Sequence, residues 1–149
     1  MAMRKPMIAA GIALGIFLSL VYAGLTYAGA DCLEYGPAVV KLTGKAIIEK
    51  YPLQSYNYLT GDMKVENVDF EFLLLDKPIC VKGKEGDEYS PPQADIRKIE
   101  LKNLNKTQQK VFNTYLNRKI VVTGKLFGRH TRYHRGDVLI MVESITPAD

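Results

Sequence analysis

Ten consecutive residues, GRHTRYHRGD at 128–137, concentrate most of the chemistry this chain has to offer. They hold both histidines, His130 and His134, and three arginines, Arg129, Arg132 and Arg135. Guanidinium forks grip carboxylates and phosphates through paired N–H donors. Imidazoles bind metals or move protons near neutral pH. Two imidazoles fall short of the three or four ligands of a zinc site, and Asp137 joins them only if the loop folds back. A metal-binding periplasmic protein is therefore an alternative reading, and no metal ligand is assigned.

A second concentration lies at 51–63, where Tyr51, Tyr56 and Tyr58 accompany Pro52 and Gly61. Tyrosine rings stack on sugars and bases. Residues suited to covalent or acid–base chemistry are sparse. Beyond residue 30 the serines are Ser55, Ser90 and Ser144, and none sits between the glycines of a nucleophile elbow. Asp69 and Glu71 share a strand face that reads as solvated. Glu85, Asp87 and Glu88 lack the spaced oxygen ligands of a hard-cation site. The 83–86 stretch lacks the lysine and helix of a phosphate loop. The sequence thus predicts no catalytic residue and no cofactor.

The elements that position these groups follow from hydrophobic period. Residues 119–142 read as a hairpin: apolar β-branched runs at 120–127 and 138–142 flank the basic loop. Residues 39–49 alternate, with Val40, Leu42, Gly44, Ala46 and Ile48 on one face. After the tyrosine loop, Val68, Phe70, Phe72 and Leu74 predict a second strand with those four residues inward. Pairing Val39 near Leu75 brings Cys32 and Cys80 together at the open end of that hairpin. A polar loop fills 82–92, and 96–101 forms a third strand. At 105–116 the period changes to helical, with Val111, Phe112, Tyr115 and Leu116 in one stripe and Asn105 or Thr107 as cap.

The order is strand, strand, strand, helix, strand, strand. The segment VKLTGK at 40–45 echoes IVVTGK at 120–125, and each puts a glycine mid-strand. Mid-strand glycines let strands one and four of a small barrel bend to serve two sheets. The predicted class is mainly β with one helix, an OB-like five-stranded small barrel. In that topology the tyrosine loop and the Arg/His loop flank one binding face. The candidate ligand-binding residues are Tyr51, Tyr56, Tyr58, Arg129, His130, Arg132, His134 and Arg135.

Residues 7–30 are uncharged and apolar behind Arg4 and Lys5, and end in Ala28-Gly29-Ala30. This pattern predicts an export signal cleaved after Ala30, or an uncleaved membrane tether. Residues 31–149 then form a single domain. The formal net charge of +4 falls to +2 without Arg4 and Lys5, too small an excess for a nucleic-acid partner. In an exported chain, Cys32 and Cys80 are expected to form one disulfide.

The motif Gly124, Leu126-Phe127, Thr131, His134 and Val138-Leu139-Ile140 resembles an uncharacterised family of exported bacterial proteins with a domain of unknown function. The phrase LDKPICV at 75–81 is also similar to that family's. This chain departs from it with Tyr133, Arg135 and Gly136 in a turn that is often richer in histidine. The resemblance implies export, a small β-rich domain and, through relatives beside lysozyme-inhibitor-like domains, a role in envelope defence. Residues and resemblance together predict an exported, non-enzymatic binding module of the bacterial periplasm or inner membrane. Its partner would be an envelope protein or glycan, acidic or sugar-bearing. The alternative is an inhibitor or immunity protein against an envelope hydrolase.

Overall fold

The computed structural model describes residues 31–148. The expected signal or tether at 1–30 lies outside the described residues. Six strands and one helix follow in order: β1 (Leu33–Glu34), β2 (Val39–Tyr56), β3 (Met63–Lys82), β4 (Gln93–Lys102), α1 (Lys106–Thr114), β5 (Lys119–Gly128) and β6 (Val138–Pro147). The strands run β1-β3-β2-β5-β6-β4, and pairing of β3 with β4 closes the sheet on itself. The β4–β6 pair is parallel, and the other pairs of the closed ring are antiparallel. This is the OB-like five-stranded barrel expected from the element order, with the two-residue β1 added beside β3.

Closure depends on two glycines. Gly44 pairs with Leu75 of β3 on one edge and with Ile120 of β5 on the other. A Cβ at Gly44 would come within 2.3 Å of the Leu74 carbonyl oxygen. A Cβ at Gly124 would come within 2.1 Å of the Met141 carbonyl oxygen, where the β5–β6 register shifts by a bulge. Backbone crosses backbone at both points, and only a residue without a side chain fits.

The core holds Leu42, Ala46, Leu73, Val81, Ile96, Ile99, Leu101, Ile120, Val122 and Ile140 from the strands, with Phe112 from the helix. The helix begins on a capping box. The Asn105 side chain accepts from the Gln108 N–H, and the Gln108 side chain accepts from the Asn105 N–H. Asn105, not Thr107, is thus the cap.

Three expectations are corrected. The hairpin register is Gly44 to Leu75, not Val39 to Leu75. At Gly44 the strand bends away, and Val39 pairs instead with Lys125 of β5. The Cys32–Cys80 disulfide forms nonetheless, because β1 lies parallel to the end of β3 with Leu33 opposite Val81. It closes a loop of 48 residues, worth about 4 kcal/mol in the chain-entropy account.

The inward face of β3 is the reverse of the one predicted. Leu73 lies in the core opposite Ala46, whereas Phe70 and Phe72 point to the outer face and Leu74 is exposed. The two phenylalanines are still buried, at 7% and 0% exposure, because other groups cover that outer face.

The tyrosine segment is also mostly not a loop. β2 runs on through Pro52 to Tyr56, and β3 starts at Met63, so the two form an arm closed by a turn at 57–62. Pro52 is tolerated because β5 leaves β2 at Lys45, and the outer edge of β2 needs no N–H there.

Replacing Gly44 by valine should destabilise the protein by about 3 kcal/mol or prevent folding, since backbone would have to move. A denaturant midpoint unchanged from the wild type would contradict the close crossing.

Candidate functional site

The groups covering the outer face of the barrel come from the loop at 128–137 together with side chains of β2 and β4. At the centre of this covered face lies Glu100, the one charged residue that is buried among the described residues, with 0% exposure. One carboxylate oxygen, Oε2, accepts the backbone N–H of Arg135 at 2.6 Å and of Gly136 at 2.8 Å. The other, Oε1, lies 2.5 Å from Lys102 Nζ. A buried carboxylate is costly unless hydrogen-bonded and paired; here Oε2 is hydrogen-bonded, and Oε1 is ion-paired to Lys102 without a hydrogen bond of good geometry. Gly136 is pressed against Glu100, since a Cβ there would lie 3.0 Å from the Glu100 Cβ. The loop is thus fastened to β4 through its backbone.

Beside this anchor, aromatic rings and cations alternate. Lys98 Nζ sits 4.5 Å from the Phe72 ring centre, and Lys102 Nζ 5.3 Å from that of Phe70. The Arg135 guanidinium stands over Tyr51 and Phe70, at 5.4 and 5.7 Å. It also donates to the Pro52 carbonyl at 3.2 Å, joining the loop to the arm. Glu49 accepts from both Lys98 and the Tyr51 hydroxyl, each at 2.6 Å. The Lys98 hydrogen bond, and after it that of Tyr51, holds the Glu49 carboxyl below its ordinary value of 4.5.

The eight candidate residues separate into two groups. Arg132 and Arg135, with Tyr133, form one wall of an open groove, and β2 and β3 form the other. Its inner part, of about 240 Å³, is lined by Pro52, Leu53, Gln54 and Val65. Its outer part, of about 370 Å³, is lined by Leu53, Gln54, Ser55, Tyr56, Tyr58 and Met63, again facing Arg132 and Tyr133. Tyr56 and Tyr58 meet edge to face at 5.0 Å. Tyr51 lies under Arg135 with its hydroxyl committed to Glu49. The two segments therefore meet where the loop lies against the arm.

Arg129, His130 and His134 belong to the second group. Arg129 is tied within the loop, donating to the Arg135 carbonyl at 3.1 Å and lying 4.0 Å from Asp137. The two imidazoles pack edge to face at 4.6 Å, and both touch Phe127. His134 Nδ1 accepts the His130 backbone N–H at 3.4 Å. Burial first, and then neighbouring His130, depress the His134 pKa below 6.5, although Glu100 opposes them. A depressed histidine contributes stability that is complete above about pH 6.5 and lost as pH falls through its native value. Among the described residues no three of His, Cys, Asp and Glu converge as metal ligands.

Sequence reasoning missed Glu100 and the Leu53–Gln54–Val65 wall. A carboxylate between Ile99 and Leu101 reads as solvent-facing by alternation, and 51–63 read as a loop. The one available signal was the glycine after Arg135, which permits a close backbone approach.

Residues 98–146 match the model of a family described as Domain of unknown function (DUF4431). The match is consistent with the uncharacterised family suggested by the sequence motifs. It takes in Lys98, Glu100, Lys102 and the whole basic loop, and leaves out the β2–β3 arm. No curated protein and no solved structure matches the chain.

Replacing Glu100 by glutamine should cost about 3 kcal/mol, since Lys102 loses its partner and the loop its ionic acceptor. Amide exchange at Arg135 and Gly136 should accelerate with it; unchanged protection there would refute the anchor. Glu49 makes a separate contribution. Its lowered native pKa stabilises the fold fully above about pH 5, and this is lost as pH falls. The Glu49→Gln variant should therefore show a shallower loss of thermal midpoint between about pH 5 and pH 3 than the wild type.

Proposed function

We propose that this protein is an exported, non-enzymatic binding module that recognises an acidic or sugar-bearing partner of the bacterial envelope. It would act in the periplasm, or on the membrane if residues 7–30 remain as a tether. The observation that carries this reading is the shared groove: Tyr56 and Tyr58 on one wall, Arg132, Tyr133 and Arg135 on the other. The aromatic wall suits sugar faces and apolar side chains, and the basic wall suits carboxylates. Among the described residues Arg132 donates only to the neighbouring Tyr133 hydroxyl, at 2.9 Å, which leaves most of its fork for a ligand.

A second reading, an inhibitor or immunity protein that plugs an envelope hydrolase, is favoured by the tip of the arm. Tyr58 and Leu59 stand 89% and 97% exposed on the turn between β2 and β3. Apolar side chains on a projecting turn fit a partner's cleft. A lysis assay with a purified muramidase separates the two readings, since only a plug protects the substrate.

Capture from an envelope extract, compared between wild type, Arg132→Ala and Tyr58→Ala, tests the binding reading. Each substitution should lower recovery of the specific partner about tenfold while the thermal midpoint stays within a degree or two. Equal recovery by all three proteins would reject the groove as the site.

A further inference from the structure

The groove takes in the free edge of β2 as well as one face of the arm, to which Val65 and Met63 of β3 contribute. Pro52, Leu53, Gln54, Ser55 and Tyr56 are successive residues and all line it. A strand face would contribute only alternate residues. Beyond Lys45 this edge has lost β5, and β2 pairs as a strand with β3 alone.

Hydrogen bonding at Ala46 fixes which backbone groups point outward. Its N–H donates to the Arg118 carbonyl at 3.0 Å, and its carbonyl accepts from Asn117 at 2.8 Å, both away from β3. The β2–β3 register is unbroken from Gly44 to Tyr56. Outward-facing groups in an antiparallel ladder recur at every second residue. They therefore belong to Ile48, Lys50, Pro52, Gln54 and Tyr56. Pro52 has no N–H, and Arg135 occupies its carbonyl. Gln54 and Tyr56 thus present two N–H and two C=O groups along the groove at strand spacing.

The facing wall is cationic and uncompensated. Among the described residues neither Arg132 nor Arg135 is ion-paired to a carboxylate. Arg135 Nε is buried without a hydrogen-bond partner. A backbone edge with alternating donors and acceptors complements another peptide backbone, and two guanidinium groups beside it complement a carboxylate. A sugar offers no repeat that matches that edge.

We infer that the groove takes an extended acidic peptide segment of a partner protein, which adds as a short strand to β2 at Gln54 and Tyr56 and places a carboxylate between Arg132 and Arg135. This rests on the binding reading above and narrows the partner to a polypeptide. Recognition would come from the strand edge and the loop together, so neither half suffices alone.

The test uses the full-length chain and three probes: a blocked five-residue peptide of alternating valine and glutamate, the same peptide N-methylated at alternate positions, and a glucuronate oligosaccharide. The first peptide should bind and slow amide exchange at Gln54 and Tyr56. N-methylation should weaken it at least tenfold, and so should Arg132→Ala. Gln54→Pro should fold, because Pro52 already occupies an equivalent edge position, and should lose peptide binding. Equal binding of the N-methylated peptide, or full binding by folded Gln54→Pro, overturns strand addition. Binding of the oligosaccharide without either peptide overturns it too, yet leaves the groove as a binding site. Failure of all three probes overturns the inference, and then envelope capture decides separately on the groove.

Discussion

A carboxylate removed from water has to be satisfied, and Glu100 is satisfied by the backbone of a loop 35 residues further along the chain. That requirement orders the region around it. The Arg135 and Gly136 N–H groups converge on one oxygen while Lys102 takes the other. The loop between β5 and β6 is therefore folded down over the sheet, and cannot extend from the barrel end as an independent hairpin tip. Once its backbone is fixed there, Arg135 has to lie over Tyr51 and Phe70, and Arg132 and Tyr133 are carried to the edge of β2.

The covered sheet explains the composition of its outer face. Phe70 and Phe72 bury their rings beneath lysine and arginine head groups, which also reach carboxylates or backbone oxygen. Long cationic side chains can cover apolar surface while their heads find polar partners. The barrel thus has two apolar layers: a closed interior, and an outer layer roofed by the loop. The second layer also stiffens the junction of the arm, since Arg135 bonds to Pro52 of β2. A two-stranded ribbon alone is only marginally stable in water, so this junction and the cross-strand pair of Tyr51 and Phe70 help to hold the arm in place.

Closure and exposure arise from the same bend. Gly44 lets β2 leave β5 and continue with β3, which closes the barrel below and leaves the edge of β2 unpaired above. Unpaired edges invite association with other chains, and proteins commonly guard them with proline or charge. Here Pro52 and the loop arginines guard part of the edge and leave Gln54 and Tyr56 open beside the groove.

By itself the sequence determined the order of elements, the barrel class, the bending glycines and the partner of each cysteine. The first three follow from alternation, from the change to helical period at Val111 and Phe112, and from a glycine repeated in two similar strands; the cysteine pairing follows from there being two cysteines in a chain expected to be exported. The Tyr- and Arg-rich segments were legible as well, because their residue types are unusual in any context. Only the tertiary structure decided which face of β3 points inward. In VDFEFLLL both faces turn apolar after Phe72, so alternation carries no sign there, and the closed ring places Leu73 opposite Ala46. Only the fold decided that 51–56 continues a strand, since Pro52 breaks a central strand but not an outer edge. And only the fold gave Glu100 its role, because a carboxylate's burial depends on donors that a distant loop brings to it.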